Sequence, residues 1–331
     1  MTTRLAGRVV VVTGASSGVG RAVARAFGAK HAKVALLARN EGALLHAARE
    51  IEEAGGRALV VPTDVSSAVS VEEAAAEIEA RLGPIDIWVN DAMASVFAPA
   101  HEVEPGEFAR VTAVNYLGTV YGTKAALKRM RQRNSGTIIQ IGSALAYCSI
   151  PLQSAYCASK AAIRAYSDSV RIELRHDGSA VKICMVQLPA VNTPQFDTAR
   201  SKMPRRPQPV PPIFQPEVIA RAVIYAARKR PRELWLGLPV WKAVLGRFFA
   251  PGLTEWYLAR TGYQSQQTPS PQPAYQPDNL DEPVPGDRGA HGRFDARSKA
   301  WSPSIWLRIH PAIAALGVAA VVGGTAAALR R

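Results

Sequence analysis

Short apolar runs alternate with longer amphipathic stretches along most of the chain. Residues 9–12 are all valine, as in a strand that is buried on both faces of a parallel sheet. The pattern predicts strands at 9–12, 34–38, 58–61, 85–89, 137–141 and 233–236, with helices at 21–30, 41–54, 69–82, 111–130 and 217–229. Strands that alternate with helices predict an α/β fold built on a doubly wound parallel sheet flanked by helices.

A glycine-rich turn joins the first strand to the first helix. Residues 13–20 read Thr-Gly-Ala-Ser-Ser-Gly-Val-Gly. Glycines let the backbone turn sharply and approach a pyrophosphate, whose charge the N-terminus of the helix favours. The alternative is a tight strand-to-helix connection without a ligand. The strand before the turn and the helix after it favour a dinucleotide site.

The end of the second strand indicates which dinucleotide binds. An acidic residue there would hydrogen-bond a ribose 2′-hydroxyl, but Ala38 and Arg39 occupy the position. Arginine suits a 2′-phosphate, so NADP(H) is favoured over NAD(H), unless Arg39 is only a solvated surface charge. Asp64 and Val65 follow the third strand, where the adenine ring is expected.

Tyr156 and Lys160 are the strongest candidates for the chemistry. They stand four residues apart in a helix-forming segment, which places them on one face. A neighbouring ammonium favours the phenolate and makes tyrosine a plausible acid/base, although an ordinary surface helix can also carry this pair. Ser143 follows the fifth strand, at the sheet edge where such folds bind ligands.

With Asn115 in the helix that precedes the fifth strand, these residues occur in the order of a known family. Over residues 5–240 the chain resembles the classical short-chain dehydrogenases/reductases, which implies a single Rossmann-type domain. The resemblance implies that Tyr156 is the acid/base, that Lys160 binds the nicotinamide ribose and lowers the tyrosine pKa, that Ser143 orients the substrate oxygen and that Asn115 holds a water in a proton relay. The implied cofactor site comprises Gly14, Ser16, Ser17, Gly18, Val19, Gly20, Arg39, Asp64, Val65, Asn90, Ala92, Tyr156, Lys160, Val191 and Thr193.

Two motifs depart from the family pattern. The family's Asn-Asn-Ala-Gly is Asn90-Asp91-Ala92-Met93 here, so a side chain replaces the glycine near the cofactor. The Pro-Gly pair that follows the family's own sixth strand is Leu188-Pro189 here, although Val191 and Thr193 are kept. These changes put the local backbone path in doubt and leave the proton-transfer groups in place. The resemblance implies that residues 194–216 form the variable substrate lid.

Composition limits the partners and the compartment. The chain has 331 residues, 48% of them hydrophobic, and a formal charge of +14. Its basic residues are spread out and are not interleaved with aromatic ones, so no nucleic-acid partner is expected. Three cysteines without a C-x-x-C pair, together with the lack of a signal-peptide pattern, favour a reducing cytoplasmic location for the catalytic domain. The family resemblance implies a homodimer or homotetramer.

The composition changes after residue 263. We predict a catalytic domain over 1–263, a Pro-rich flexible linker over 264–305 that cannot bury enough apolar area to become ordered, and an apolar helix over 306–331. Residues 311–329 carry no charge and would span about 29 Å as a helix, close to a bilayer core of roughly 30 Å. This tail is predicted to be a membrane anchor, with a helix docked on the protein as the alternative. Packing and an interfacial role near lipid are both open for Trp241, Phe248, Phe249, Trp256 and Tyr257.

Two functions follow from these features. The first is an NADP(H)-dependent oxidoreductase that interconverts a hydroxyl and a carbonyl on a small, apolar substrate and is tethered to a membrane. The second is a non-catalytic dinucleotide-binding scaffold or sensor at a membrane. The presence of all four candidate catalytic residues favours the enzyme.

Overall fold

The computed structural model describes residues 4–310. Within this range the strands are, in chain order, β1 Val9–Thr13, β2 Lys33–Ala38, β3 Arg57–Pro62, β4 Ile85–Asn90, β5 Val96–Phe97, β6 Thr137–Ser143, β7 Lys182–Leu188, β8 Arg200–Ser201, β9 Arg205–Pro207, β10 Ile213–Phe214, β11 Glu233–Trp235, β12 Gln267–Pro271 and β13 Ser298–Lys299. The α-helices are α1 Gly18–Gly28, α2 Glu41–Glu53, α3 Ala68–Leu82, α4 Pro105–Thr112, α5 Gly118–Gln132, α6 Ser154–His176, α7 Gln195–Thr198, α8 Pro216–Lys229, α9 Gly237–Phe249, α10 Pro251–Ser265 and α11 Pro303–Ile309.

Seven parallel strands form the central sheet in the order β11-β7-β6-β4-β1-β2-β3. Successive valines of β1 point to opposite faces, so Val10 and Val12 join one apolar core while Val9 and Val11 join the other. Helices α1, α2 and α8 cover the first face, and α3, α5 and α6 cover the second. The predicted α/β fold with a doubly wound parallel sheet is confirmed. The strand order reverses between β1 and β4, which opens a crevice at their carboxyl ends.

The helix predicted over 111–130 is interrupted. A π-helical turn at Ala113–Leu117 separates α4 from α5. Asn115 lies in this turn and its side-chain amide is buried: it accepts a hydrogen bond from Ala94 N at 2.7 Å and donates to Ala94 O and to Ser159 Oγ, both at 3.0 Å. The π-helical turn coincides with these tertiary hydrogen bonds of Asn115. Helical periodicity in the sequence does not reveal such bonds, so the sequence pattern predicts an uninterrupted helix.

The prediction of a flexible linker over 264–305 is wrong. The segment begins inside α10, pairs β12 with β9 and β13 with β10, and buries Leu280 and Phe294. Its main-chain carbonyl groups accept hydrogen bonds from side chains of the preceding elements, including those of Asn40 and Arg110. The composition argument fails because the segment fills grooves on an existing fold and needs no core of its own. The division of the chain into domains stays a prediction.

The predicted apolar tail begins within the described chain and continues beyond it. Residues 306–309 belong to the short helix α11, whose Ile305 packs into the first core, whereas 311–329 lie outside the described residues. No helix within residues 4–310 combines the length and the apolar character that crossing a bilayer requires.

Candidate active site

A cleft of about 820 Å³ opens at the carboxyl ends of β1, β2, β4 and β6. Its inner part is lined by the glycine-rich turn and by the ends of the strands, and its outer part by the segment after β7 together with α9 and α10. This is the edge at which doubly wound sheets bind ligands. Of the predicted site residues, those along the cleft are Gly14, Ser16, Ser17, Gly18, Val19, Arg39, Asp64, Val65, Ala92, Ser143, Tyr156, Lys160, Val191 and Thr193.

The glycine-rich turn forms a cradle that tolerates no side chain at several positions. Gly14 adopts a φ of +71°, and a Cβ placed there would lie 2.9 Å from the Cα of Ala92. A Cβ on Gly20 would lie 2.3 Å from the carbonyl oxygen of Gly14, and one on Gly18 would meet the side chain of Thr193 at 3.3 Å. The turn is therefore closely packed and leads directly into α1, where the N–H of Gly18 donates to Gly289 O and the helix N-terminus favours a negative charge such as a phosphate. These residues fit the pyrophosphate of a dinucleotide.

Ser143, Tyr156 and Lys160 come together in the cleft. Ser143 is the last residue of β6, while Tyr156 and Lys160 lie one turn apart near the start of α6. The Nζ of Lys160 is 5.5 Å from the centre of the Tyr156 ring and donates a 2.7 Å hydrogen bond to Ile141 O. Lys160 is only 4% exposed, and its hydrogen bond to this strand carbonyl holds the ammonium in place.

Burial dominates the electrostatics of these groups. Burial raises the pKa of the Tyr156 phenol above its usual value, while the Ser143 hydroxyl acts in the opposite direction. In this arrangement the phenol is protonated at neutral pH and is ready to donate, in contrast to the lowered pKa that the family resemblance implies. Burial also lowers the pKa of Lys160, and the nearby carboxylate of Asp91 opposes that shift.

Arg39, Asp64 and Val65 line the cleft, and their binding of the adenosine stays a prediction. Arg39 lies at the end of β2, but its two terminal nitrogens donate to the main-chain carbonyls of Asn279 and Asp281. Burial alone would raise the pKa of Asp64, but hydrogen bonds from Ser66 and Arg110 outweigh it and hold that pKa below its usual value. The carboxylate of Asp64 is thus already bound by Ser66 and Arg110.

Three predicted residues support the cleft from behind and do not line it. Gly20 lies within the first turn of α1. Asn90 is buried, accepts a 2.8 Å hydrogen bond from the indole of Trp88 and donates one of 2.8 Å to Gln140. The side chain of Asn115 is occupied by Ala94 and Ser159. A direct role of these three in binding or proton transfer stays a prediction.

The structure also places residues in the cleft that the sequence interpretation did not select. Asp91 lies at its base, and burial raises the pKa of its carboxyl group, opposed by Lys160 and by the N–H of Gly20. The acidic residue in the motif at 90–93 is the signal that could have identified it. Asn279, Val284 and Arg288 also line the cleft, and the composition of 264–305, which predicts a linker, gives no such signal.

The outer end of the cleft is apolar and opens beside exposed aromatic residues. Leu253, Trp256 and Tyr257 of α10 line its mouth and are 66%, 53% and 57% exposed. Phe248 and Phe249 at the end of α9 are 77% and 75% exposed. Of the five aromatic residues with two open alternatives, Trp241 packs against Trp235 of β11 with ring centres 4.6 Å apart, whereas the other four are exposed.

Known proteins agree with this geometry. The sequence profile of the short chain dehydrogenase family matches residues 8–204. An uncharacterized oxidoreductase of Bacillus subtilis, YxnA, is 34% identical over 271 residues, which are 81% of this chain and 76% of the relative. A fatty acyl-CoA reductase of Acinetobacter baylyi is 32% identical over 231 residues, which are 69% of this chain and 75% of that protein.

A similar solved structure is that of an alcohol dehydrogenase from the archaeon Thermococcus sibiricus complexed with 5-hydroxy-NADP. It is 30% identical, has a TM-score of 0.60, and the match covers 69% of this chain and 95% of that one. The chain belongs to the short-chain dehydrogenase/reductase family, whose members are oxidoreductases that act on CH–OH and C=O groups.

Proposed function

We propose that the protein is an NADP(H)-dependent oxidoreductase that interconverts a hydroxyl and a carbonyl group on an apolar substrate. The observation that carries the proposal is the convergence of Ser143, Tyr156 and Lys160 in one cleft with the glycine cradle. A screen of apolar ketones and alcohols that follows NADPH absorbance tests it. Absence of turnover with every carbonyl, despite NADPH binding, would favour the scaffold.

The residues divide the reaction between them. When bound, the nicotinamide supplies or accepts the hydride. Tyr156 donates its phenolic proton to the carbonyl oxygen during reduction and takes it back during oxidation. The Ser143 hydroxyl holds the same oxygen, and buried Lys160 stabilises the phenolate left after proton donation.

The adenosine side favours NADP(H) over NAD(H). β2 ends in Ala38 and is followed by Arg39, so no carboxylate is available there for a ribose 2′-hydroxyl. The nearby Asp64 is engaged by Arg110 through a 2.9 Å ion pair. The solved relative from Thermococcus sibiricus was complexed with a derivative of NADP, which supports the same choice.

The outer cleft favours an apolar substrate. Besides the three residues of α10, its walls carry Leu145, Ile150, Phe196 and Val210. Because removing apolar surface from water is favourable, contact with these walls favours the binding of hydrocarbon groups over polar groups. The Acinetobacter baylyi relative, whose name records a fatty acyl substrate, is in accord with a long apolar chain.

A buried carboxylate beside Lys160 gives a testable pH dependence. The negative charge of Asp91 favours the protonated lysine, so Asp91→Asn is expected to lower the Lys160 pKa further. The ammonium is then lost at a lower pH as the solution becomes alkaline. The alkaline limb of the kcat/KM profile should therefore move to lower pH, whereas Glu77→Gln on the exposed face of α3 should leave it unchanged. An unmoved limb in Asp91→Asn would show that the two groups are not coupled.

We infer from the sequence that the apolar stretch 311–329 anchors the enzyme to a membrane. Removing 311–331, with α11 kept because Ile305 is buried, should move the protein from the membrane fraction to the soluble fraction and preserve NADPH binding. Fractionation followed by a binding titration measures both effects. A full-length protein that is already soluble without detergent would contradict the anchor.

A further inference from the structure

Residues 279–290, which we call the strap, cross the adenosine side of the cofactor cleft. Leu280 is fully buried and Val284 is 8% exposed, so two apolar side chains fix the strap to the body. The side-chain amide of Asn40 donates to Val284 O at 2.9 Å and to Gly286 O at 3.2 Å. These contacts make the strap an ordered wall of the site.

The strap is also fastened to the glycine-rich turn. Asp287 forms an ion pair with Arg21 of α1, whose side chain is only 3% exposed. The N–H of Gly18 donates a 3.1 Å hydrogen bond to Gly289 O. Arg288 lies between these two fastening points, and it lines the cleft alongside Ser16 and Ser17.

The two arginines on this wall differ in what they already bind. The terminal nitrogens of Arg39 face the carbonyl oxygens of Asn279 and Asp281, so the fork that would bind two phosphate oxygens is directed at the strap. Among residues 4–310, the Arg288 guanidinium has no hydrogen-bond or ion-pair partner, and Arg288 is exposed. Its donors are therefore available to a ligand.

We propose that Arg288 is the guanidinium that binds the adenosine 2′-phosphate of NADP(H), and that Arg39 instead holds the strap that carries it. This inference rests on the proposed NADP(H)-dependent function. It moves the selectivity for the phosphate from the end of β2 to the C-terminal segment, more than 240 residues farther along the chain.

Dissociation constants for NADPH and NADH, measured by protein fluorescence on the full chain, test this assignment without any substrate. Arg288→Ala is expected to weaken NADPH binding by about 10- to 100-fold, the range for a lost charge-assisted hydrogen-bond pair, and to leave NADH binding unchanged. Arg288→Lys should recover part of the NADPH affinity. Arg39→Ala loosens the strap and should weaken both dinucleotides by similar factors.

Lys299→Ala is the matched control, because it removes one positive charge from an exposed position in β13 outside the cleft lining. It should leave both constants unchanged. Unchanged NADPH binding in Arg288→Ala, or a loss selective for NADPH only in Arg39→Ala, would overturn the assignment and leave the proposed oxidoreductase function intact. A wild-type protein that binds neither dinucleotide, or prefers NADH, would overturn both.

Discussion

Tyr156→Phe is expected to lower the turnover number by about 100-fold or more while NADPH still binds. The substitution keeps the aromatic ring beside Lys160 and removes only the phenolic proton that is donated to the carbonyl oxygen. Because burial raises the pKa of the phenol, Tyr156 is protonated at neutral pH, so the phenylalanine variant lacks the proton donor for reduction there. Steady-state kinetics with any accepted apolar ketone measure the loss.

Tyr166→Phe is the matched control. Tyr166 lies on the same helix, α6, with its ring edge against Tyr116 and outside the cleft lining. The control should keep the activity of the wild type. If Tyr156→Phe also kept it, the proton would have to come from another group, and the proposed role of Tyr156 would be wrong.

The inner half of the site could be predicted because its residues belong to regular elements. The glycine-rich turn follows a continuously apolar strand, and Tyr156 and Lys160 share one helix face, so local periodicity carries the information. Ser143 is the last residue of β6, and the sheet edge that receives it follows from the alternation of strands and helices.

The wall formed by residues 264–305 could not be predicted because its contacts are tertiary and irregular. The buried apolar residues of 264–305, such as Leu280 and Phe294, stand singly among polar ones, without a helical or strand period, and pack against distant elements. The carbonyl partners of Arg39 likewise come from a segment that the sequence gives no reason to place beside β2. The sequence therefore predicts a guanidinium available to a phosphate, whereas the structure pairs Arg39 with these carbonyl groups.

The packing of residues 264–305 against the fold gives the second large effect. Leu280→Ala is expected to lower the free energy of unfolding by about 2 to 5 kcal/mol, because Leu280 is fully buried in the second core and its loss leaves a cavity. Tyr275→Ala, in the same segment but 83% exposed, should change it by less than about 0.5 kcal/mol.

Urea unfolding followed by circular dichroism measures both values. A Leu280→Ala protein as stable as the wild type would mean that the segment contributes nothing to the fold and behaves as the linker that its composition suggests. A destabilised Leu280→Ala protein with weakened NADPH binding would instead tie the strap to both folding and cofactor retention, since Arg110 and Arg39 donate hydrogen bonds to the backbone on either side of this side chain.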